Sequence, residues 1–122
     1  MHLEIYESGL PADLADFVKI SALANASILV IPSSSLDEFD SQLINIPQAH
    51  DQIILGIFFS LQLDWPFLHV TVYENGKPYN LERTYGGPGQ NAPSWAVNTS
   101  LDFLRRTLIS SQNNHKETRN HD

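Results

Sequence analysis

Cysteine is absent from the chain, which excludes a disulfide framework, a thiolate metal site and a cysteine nucleophile together. Long apolar runs are missing as well. The best candidate, IILGIFFSLQL (Ile53 to Leu63), is broken by Gly56, Ser60 and Gln62 and is too short to cross a bilayer as a helix. Bases are scarce in the first 75 residues, where Lys19 stands against Glu4, Glu7, Asp13, Asp16, Asp37, Glu38, Asp40, Asp51, Asp64 and Glu74, a balance of −9. Six bases (Lys77, Arg83, Arg105, Arg106, Lys116, Arg119) against four acids (Glu82, Asp102, Glu117, Asp122) then give +2, hence −7 overall. The start, MHLEIYESGLPADLADF, carries acids where a secretory signal needs bases and an apolar run. The expectation is a cytoplasmic protein with no membrane and no nucleic acid partner, since an acidic surface repels phosphate backbones.

What is present suits one globular domain. The 122 residues are 42% hydrophobic, enough to bury a core without covalent staples. MHLEIYE alternates apolar and polar residues, as a short strand does. SGLPADLADFVKISALANA places Leu10, Leu14, Phe17, Val18 and Ser21 on one helical face, with Pro11 suited to a first turn. SILVIP (Ser27 to Pro32) reads as a strand buried on both faces. In SSSLDEFDSQLINI, Ser35 and Glu38 form a capping box, and Leu36, Phe39, Leu43 and Ile46 mark a second amphipathic helix ended by Pro47.

Three strand signals follow. QIILGIFFSLQL is long enough to be central. FLHVTVYE alternates Phe67, His69, Thr71 and Tyr73 with Leu68, Val70 and Val72. Asn75-Gly76 is a strong signal for a type I′ hairpin, and Pro78 makes KPYNLERTY an edge strand. Trp95, Val97, Leu101, Leu104 and Leu108 then mark a third helix. The order β-α-β-α-β-β-β-α predicts a single α+β (or mixed α/β) domain over 1–110. Its sheet is mixed or antiparallel, of about five strands, with a C-terminal β-meander and packed helices. A right-handed βαβ unit is the default if the first two strands pair in parallel. Residues 111–122 hold no apolar side chain and read as a polar, flexible tail.

The chemistry-bearing residues are sparse. No two of His2, His50, His69, His115 and His121 have metal-ligand spacing, and no cofactor or metal is predicted. His69 sits mid-strand, where Asp64 across the preceding turn could orient it as a general base; the plainer reading is a surface histidine. Ser33, Ser34 and Ser35 follow a strand and precede a helix, a position that capping explains. No catalytic residue is assigned.

TYGGPGQNAPSW (Thr84 to Trp95) has the strand–loop–helix order of a phosphate cradle. It lacks the lysine and the Ser/Thr of a Walker loop, only half fits a dinucleotide fingerprint, and Pro88 removes one N–H. It reads first as a rigid corner with glycines for positive φ, Asn91 or Ser94 as helix N-cap, and Pro93 in or before the first turn. Its exposed residues remain a contact surface. The candidate ligand- or partner-binding residues are therefore His69, Tyr79, Arg83, Tyr85, Gly87, Gly89, Gln90, Asn91 and Trp95.

Together these features predict a small acidic, non-catalytic binding protein. An inhibitor, an immunity protein or a phage-encoded antagonist of a basic protein partner would have this character. The alternative is a small-molecule or nucleotide-binding domain, enzymatic or not, that uses the loop 86–94. Pairing of the Pro78 edge with a second copy would give a homodimer.

Overall fold

Five strands form one mixed sheet in the order β2-β1-β3-β4-β5, as described by a computed structural model over residues 2–13, 26–47, 52–61 and 65–121. The strands are β1 (His2–Ser8), β2 (Ala26–Val30), β3 (Gln52–Ser60), β4 (Phe67–Glu74) and β5 (Lys77–Thr84). The described helices are α1 (Leu36–Ile44) and α2 (Ala92–His121), the latter entered through a 3₁₀ turn at Gly89–Asn91. The predicted first helix falls largely outside the described residues, as do His50, Asp51 and Asp64. No described helix is long and apolar enough to cross a membrane.

β1 pairs in parallel with both β2 and β3. β3–β4 and β4–β5 are antiparallel, so the predicted meander is present. β3 occupies the middle, and every residue from Gln52 to Phe59 is buried, which explains its unbroken apolar run. Asn75 and Gly76 have φ of 55° and 79°, as a type I′ turn requires.

β2 corrects one expectation. Its apolar run suggested burial on both faces, yet it lies at the sheet edge, with Leu29 54% and Val30 63% exposed.

Alternation along the strands gives the sheet two unlike faces. One face carries Leu3, Ile5, Leu55, Ile57, Leu68, Val70 and Val72 and packs under α2 through Ala96, Val97 and Leu104. The other carries Tyr6, Ile54 and Phe58 against Phe39 and Leu43 of α1. Gly56 permits this second contact: a Cβ there would stand 2.4 Å from Leu43 Cδ1. The Ser35 hydroxyl caps α1 by accepting from the Glu38 N–H at 3.2 Å. The return arm of the capping box is shifted by one residue, since Glu38 Oε2 accepts from the Ser34 N–H at 3.0 Å and the Ser34 hydroxyl at 2.7 Å.

α1 is only nine residues long. Phe39 and Leu43 pack on Tyr6, Ile54 and Phe58, with Phe67 and Tyr73 of β4 beside them, and Asp40 of the same helix faces β4. The polar side chains of β4 and β5 on this face hold the chemistry.

Candidate functional site

β4 sends Phe67, His69, Thr71 and Tyr73 toward the α1 side, in the alternation that the sequence predicts. The β4–β5 register sets His69 opposite Glu82 and Thr71 opposite Asn80. Directly opposed side chains in a ladder are close enough to bond. His69 Nδ1 lies 3.0 Å from Glu82 Oε1, and the Thr71 hydroxyl donates to Asn80 Oδ1 at 2.9 Å. From above, α1 contributes Asp40, whose Oδ1 is 3.9 Å from His69 Nε2.

Among the described residues, His69 is held at hydrogen-bond distance by Glu82 alone. The Glu82 carboxylate accepts, so Nδ1 carries the proton of this bond, and Nε2 is the ring nitrogen that faces Asp40. Asp40 is too distant from Nε2 for a hydrogen bond. The His69 side chain is 9% exposed, whereas those of Asp40 and Glu82 are 46% and 57% exposed. The imidazole therefore sits sunk between two carboxylates at the rim. Burial pushes the Asp40 carboxyl above the usual carboxylate range, an effect that His69 opposes and the charges of Asp37 and Glu82 reinforce. Burial also raises the Tyr73 phenol, with the Asp40 charge adding to it. Among the described residues, no group of three or more His, Cys, Asp or Glu is arranged to hold a metal ion.

One sequence expectation changes here. His69 is a buried residue, 7% exposed, and not a surface histidine. Among the described residues its carboxylate partners are Glu82 and Asp40, while Asp64 lies outside them.

The remaining candidates lie apart from His69. Tyr79 and Arg83 alternate onto the α2 face of β5 and line a groove there. Lys77 Nζ stands 5.6 Å from the centre of the Tyr79 ring. Tyr85 packs on Trp95 with ring centroids 5.0 Å apart. Gly87 lies under Tyr85, where a Cβ would stand 2.5 Å from the phenol oxygen. Gly89, Gln90 and Asn91 are exposed residues of the 3₁₀ turn.

That geometry settles the physical role of the glycine-rich stretch. Positive φ among glycines falls on Gly9 and Gly76 and not on Gly86, Gly87 or Gly89, so close approach to Tyr85 is what Gly87 serves. The Asn91 N–H bonds to Pro88 O at 3.0 Å, and the Ala92 N–H bonds to Gly89 O. Amides used this way are not offered to an anion. The helix begins at Ala92 with Pro93 in its first turn, and Pro88 caps the 3₁₀ turn without a side-chain bond. Asn91 stands directly before the helix, and Ser94 lies inside its first turn.

Sequence reading did not place Asp40 or Glu82 beside His69. Both signals were available. Equal counting outward from the Asn75-Gly76 turn brings Glu82 opposite His69, and Asp40 follows Phe39, a buried residue of the helix on this face.

No family model matches the chain, and no curated protein matches it. Among solved structures, the α+β fold is shared with a competence or damage-inducible protein from Enterobacter asburiae. That match has 17% identity and a TM-score of 0.65, over 88% of this chain and 87% of that one. TolB from Acinetobacter baumannii matches at 14% identity and a TM-score of 0.42, over 82% of this chain but 27% of that one, and carries no argument.

The first of these matches overturns the expected function. The fold neighbour is described as competence or damage-inducible and not as an inhibitor or immunity protein. The acids that motivated the inhibitor reading are also partly used inside the molecule. Glu4 accepts from the Tyr6 hydroxyl, Glu7 from the Leu10 N–H, and Glu38 from Ser34, while Asp40 faces His69. In loop 86–94 the amides of Asn91 and Ala92 are bonded within the turn.

Proposed function

We propose that the polar half-face around His69 is a general acid–base site, acting by proton transfer on a small neutral or cationic substrate. One observation carries the reading: His69 Nδ1 lies 3.0 Å from Glu82 Oε1, while Nε2, 3.9 Å from Asp40 Oδ1, has no described hydrogen-bond partner. An imidazole oriented by a carboxylate is the arrangement that lets Nε2 take a proton from water or a substrate hydroxyl and return it to a leaving group. Two flanking carboxylates disfavour an anionic substrate.

The setting we infer, from the description of the Enterobacter asburiae neighbour, is a competence or damage response. A rise in the level of this chain after damage to the cell would support that setting, and a constant level would count against it.

The chemistry is tested with p-nitrophenyl acetate, an activated ester that reports imidazole reactivity. The wild-type chain should hydrolyse it about 10²-fold faster than an equal concentration of free imidazole. Glu82→Gln should cut that rate, and His69→Gln should reduce it to the background of the chain's other four histidines. Equal rates for the wild type and His69→Gln would refute the reading.

A further inference from the structure

The α2 face of β5 carries a second feature, separated from His69 by the thickness of the sheet. An open groove of about 350 Å³ runs between the edge strand and the helix, lined by Tyr79, Leu81 and Arg83 from β5 and by Phe103, Arg106 and Thr107 from α2. The strand residues alternate and so share one face. The helix residues lie at i, i+3 and i+4 and share one stripe. The groove therefore follows from the regular spacing of two rigid elements. Its volume falls within the range of small-ligand sites.

The chemistry of its walls is specific. Tyr79, Leu81 and Phe103 supply flat and apolar surface. Arg83 and Arg106 place two of the seven Lys and Arg residues of a chain of net charge −7 in one groove. Each guanidinium makes one described polar contact at 2.7 Å: Arg83 Nη1 donates to its neighbour's carbonyl at Glu82, and Arg106 Nη2 pairs with Asp102 Oδ2. A guanidinium has five N–H donors in a planar fork, so most of each fork is left for a further acceptor. Asp102 also takes Arg105 Nη2 at 2.8 Å, which divides its charge between two arginines.

We propose that this groove is a second ligand site, for a small aromatic anion whose ring lies on Tyr79 and Phe103 and whose carboxylate or phosphate is held by Arg83 and Arg106. Planar, bidentate recognition of such anions is what arginine does better than lysine. The site is independent of the proton-transfer reading, since the two lie on opposite faces.

Phenyl phosphate is the probe, with phenol and inorganic phosphate as single-feature controls, followed by amide chemical shifts in a titration of the full chain. Phenyl phosphate should saturate at millimolar concentration or below, shift β5 and α2 amides, and bind at least about tenfold tighter than either control. Arg83→Gln and Arg106→Gln, both at exposed side chains, should each weaken it about tenfold and leave the circular dichroism spectrum unchanged. His69→Gln should leave binding intact, which keeps this result separate from the ester test. Absence of saturation, equal binding of phenol, or unaltered binding in the arginine double variant would overturn the site.

Discussion

Glu82 and His69 face one another across the β4–β5 ladder, with the carboxylate 3.0 Å from Nδ1 and mostly in water. A pair with one partner so exposed gains little stability from its attraction, because solvent screens it. A double-mutant cycle with His69→Gln and Glu82→Gln, read by urea unfolding, should therefore give a coupling of less than about 1 kcal/mol. The same substitutions should change reactivity at Nε2 strongly. A coupling of several kcal/mol would make the pair a structural fastening and remove the reason to expect chemistry from it.

The glycines separate by what surrounds them. Gly9 has φ of 96°, and a Cβ there would stand 1.8 Å from the Phe59 carbonyl oxygen. Both strain and backbone collision oppose any side chain, so Gly9→Ala should cost more than about 3 kcal/mol. Gly56→Ala meets only the tip of Leu43 and should cost about 1–3 kcal/mol, as overpacking does. Gly86→Ala and Gly89→Ala meet no described atom within 4 Å and should stay within about 0.5 kcal/mol of the wild type. Gly87→Ala is the informative one. It should displace Tyr85 from Trp95 and change the near-ultraviolet circular dichroism. An unchanged aromatic spectrum would show that the stack does not depend on Gly87.

Much of this architecture could be read from residue order. Asn75-Gly76 fixed the hairpin, and strict alternation assigned the two faces of β4. Ser35 marked the start of α1 because a hydroxyl before an apolar period has a free amide to satisfy. Other features were hidden for physical reasons. An apolar run such as ASILV is the same whether a strand is central or at an edge, since neighbours and not composition decide exposure. The partners of His69 come from β5 and α1, so only register and crossover together bring them to it. The groove under Arg83 needed the position of α2 against the sheet, which no local pattern encodes. The glycines of Thr84 to Trp95 invited the wrong cause, because glycine serves close contact as well as positive φ.

Glu7 offers a test of burial by pH. Its side chain lies in the sheet, 2% exposed, and accepts the Leu10 N–H at 3.0 Å. Burial pushes its carboxyl above the ordinary range, and the Leu10 bond opposes this without cancelling it. A carboxyl whose folded pKa is raised binds its proton more tightly in the folded state. Its favourable contribution is present below the unfolded pKa and is lost as pH rises through the folded one. Glu7→Gln keeps an acceptor for Leu10 and has no charge to bury. It should raise the melting temperature at neutral pH, and the gain should shrink as pH falls into the carboxylate range. A gain that grows on acidification would reverse the assigned sign.

The length of α2 sets up a last expectation. The helix runs Ala92–His121, but its contacts with the sheet core come from Ala92, Ala96, Val97 and Leu104, with Leu101, Phe103 and Leu108 beside them. Beyond Ile109 the sequence SSQNNHKETRNHD contains no apolar residue. A helical segment without apolar side chains has no hydrophobic stripe to bury, and short segments of that kind are marginal in water. Amide hydrogen exchange should therefore divide α2 in two, with residues 96–108 protected close to the limit of global unfolding and residues 111–121 exchanging orders of magnitude faster. Removing 111–122 should leave the urea midpoint within about 0.5 kcal/mol of the full chain's stability. Protection that stayed uniform to the end of the helix would mean that the polar segment packs on something, and a large loss on truncation would locate that contact in the folded domain.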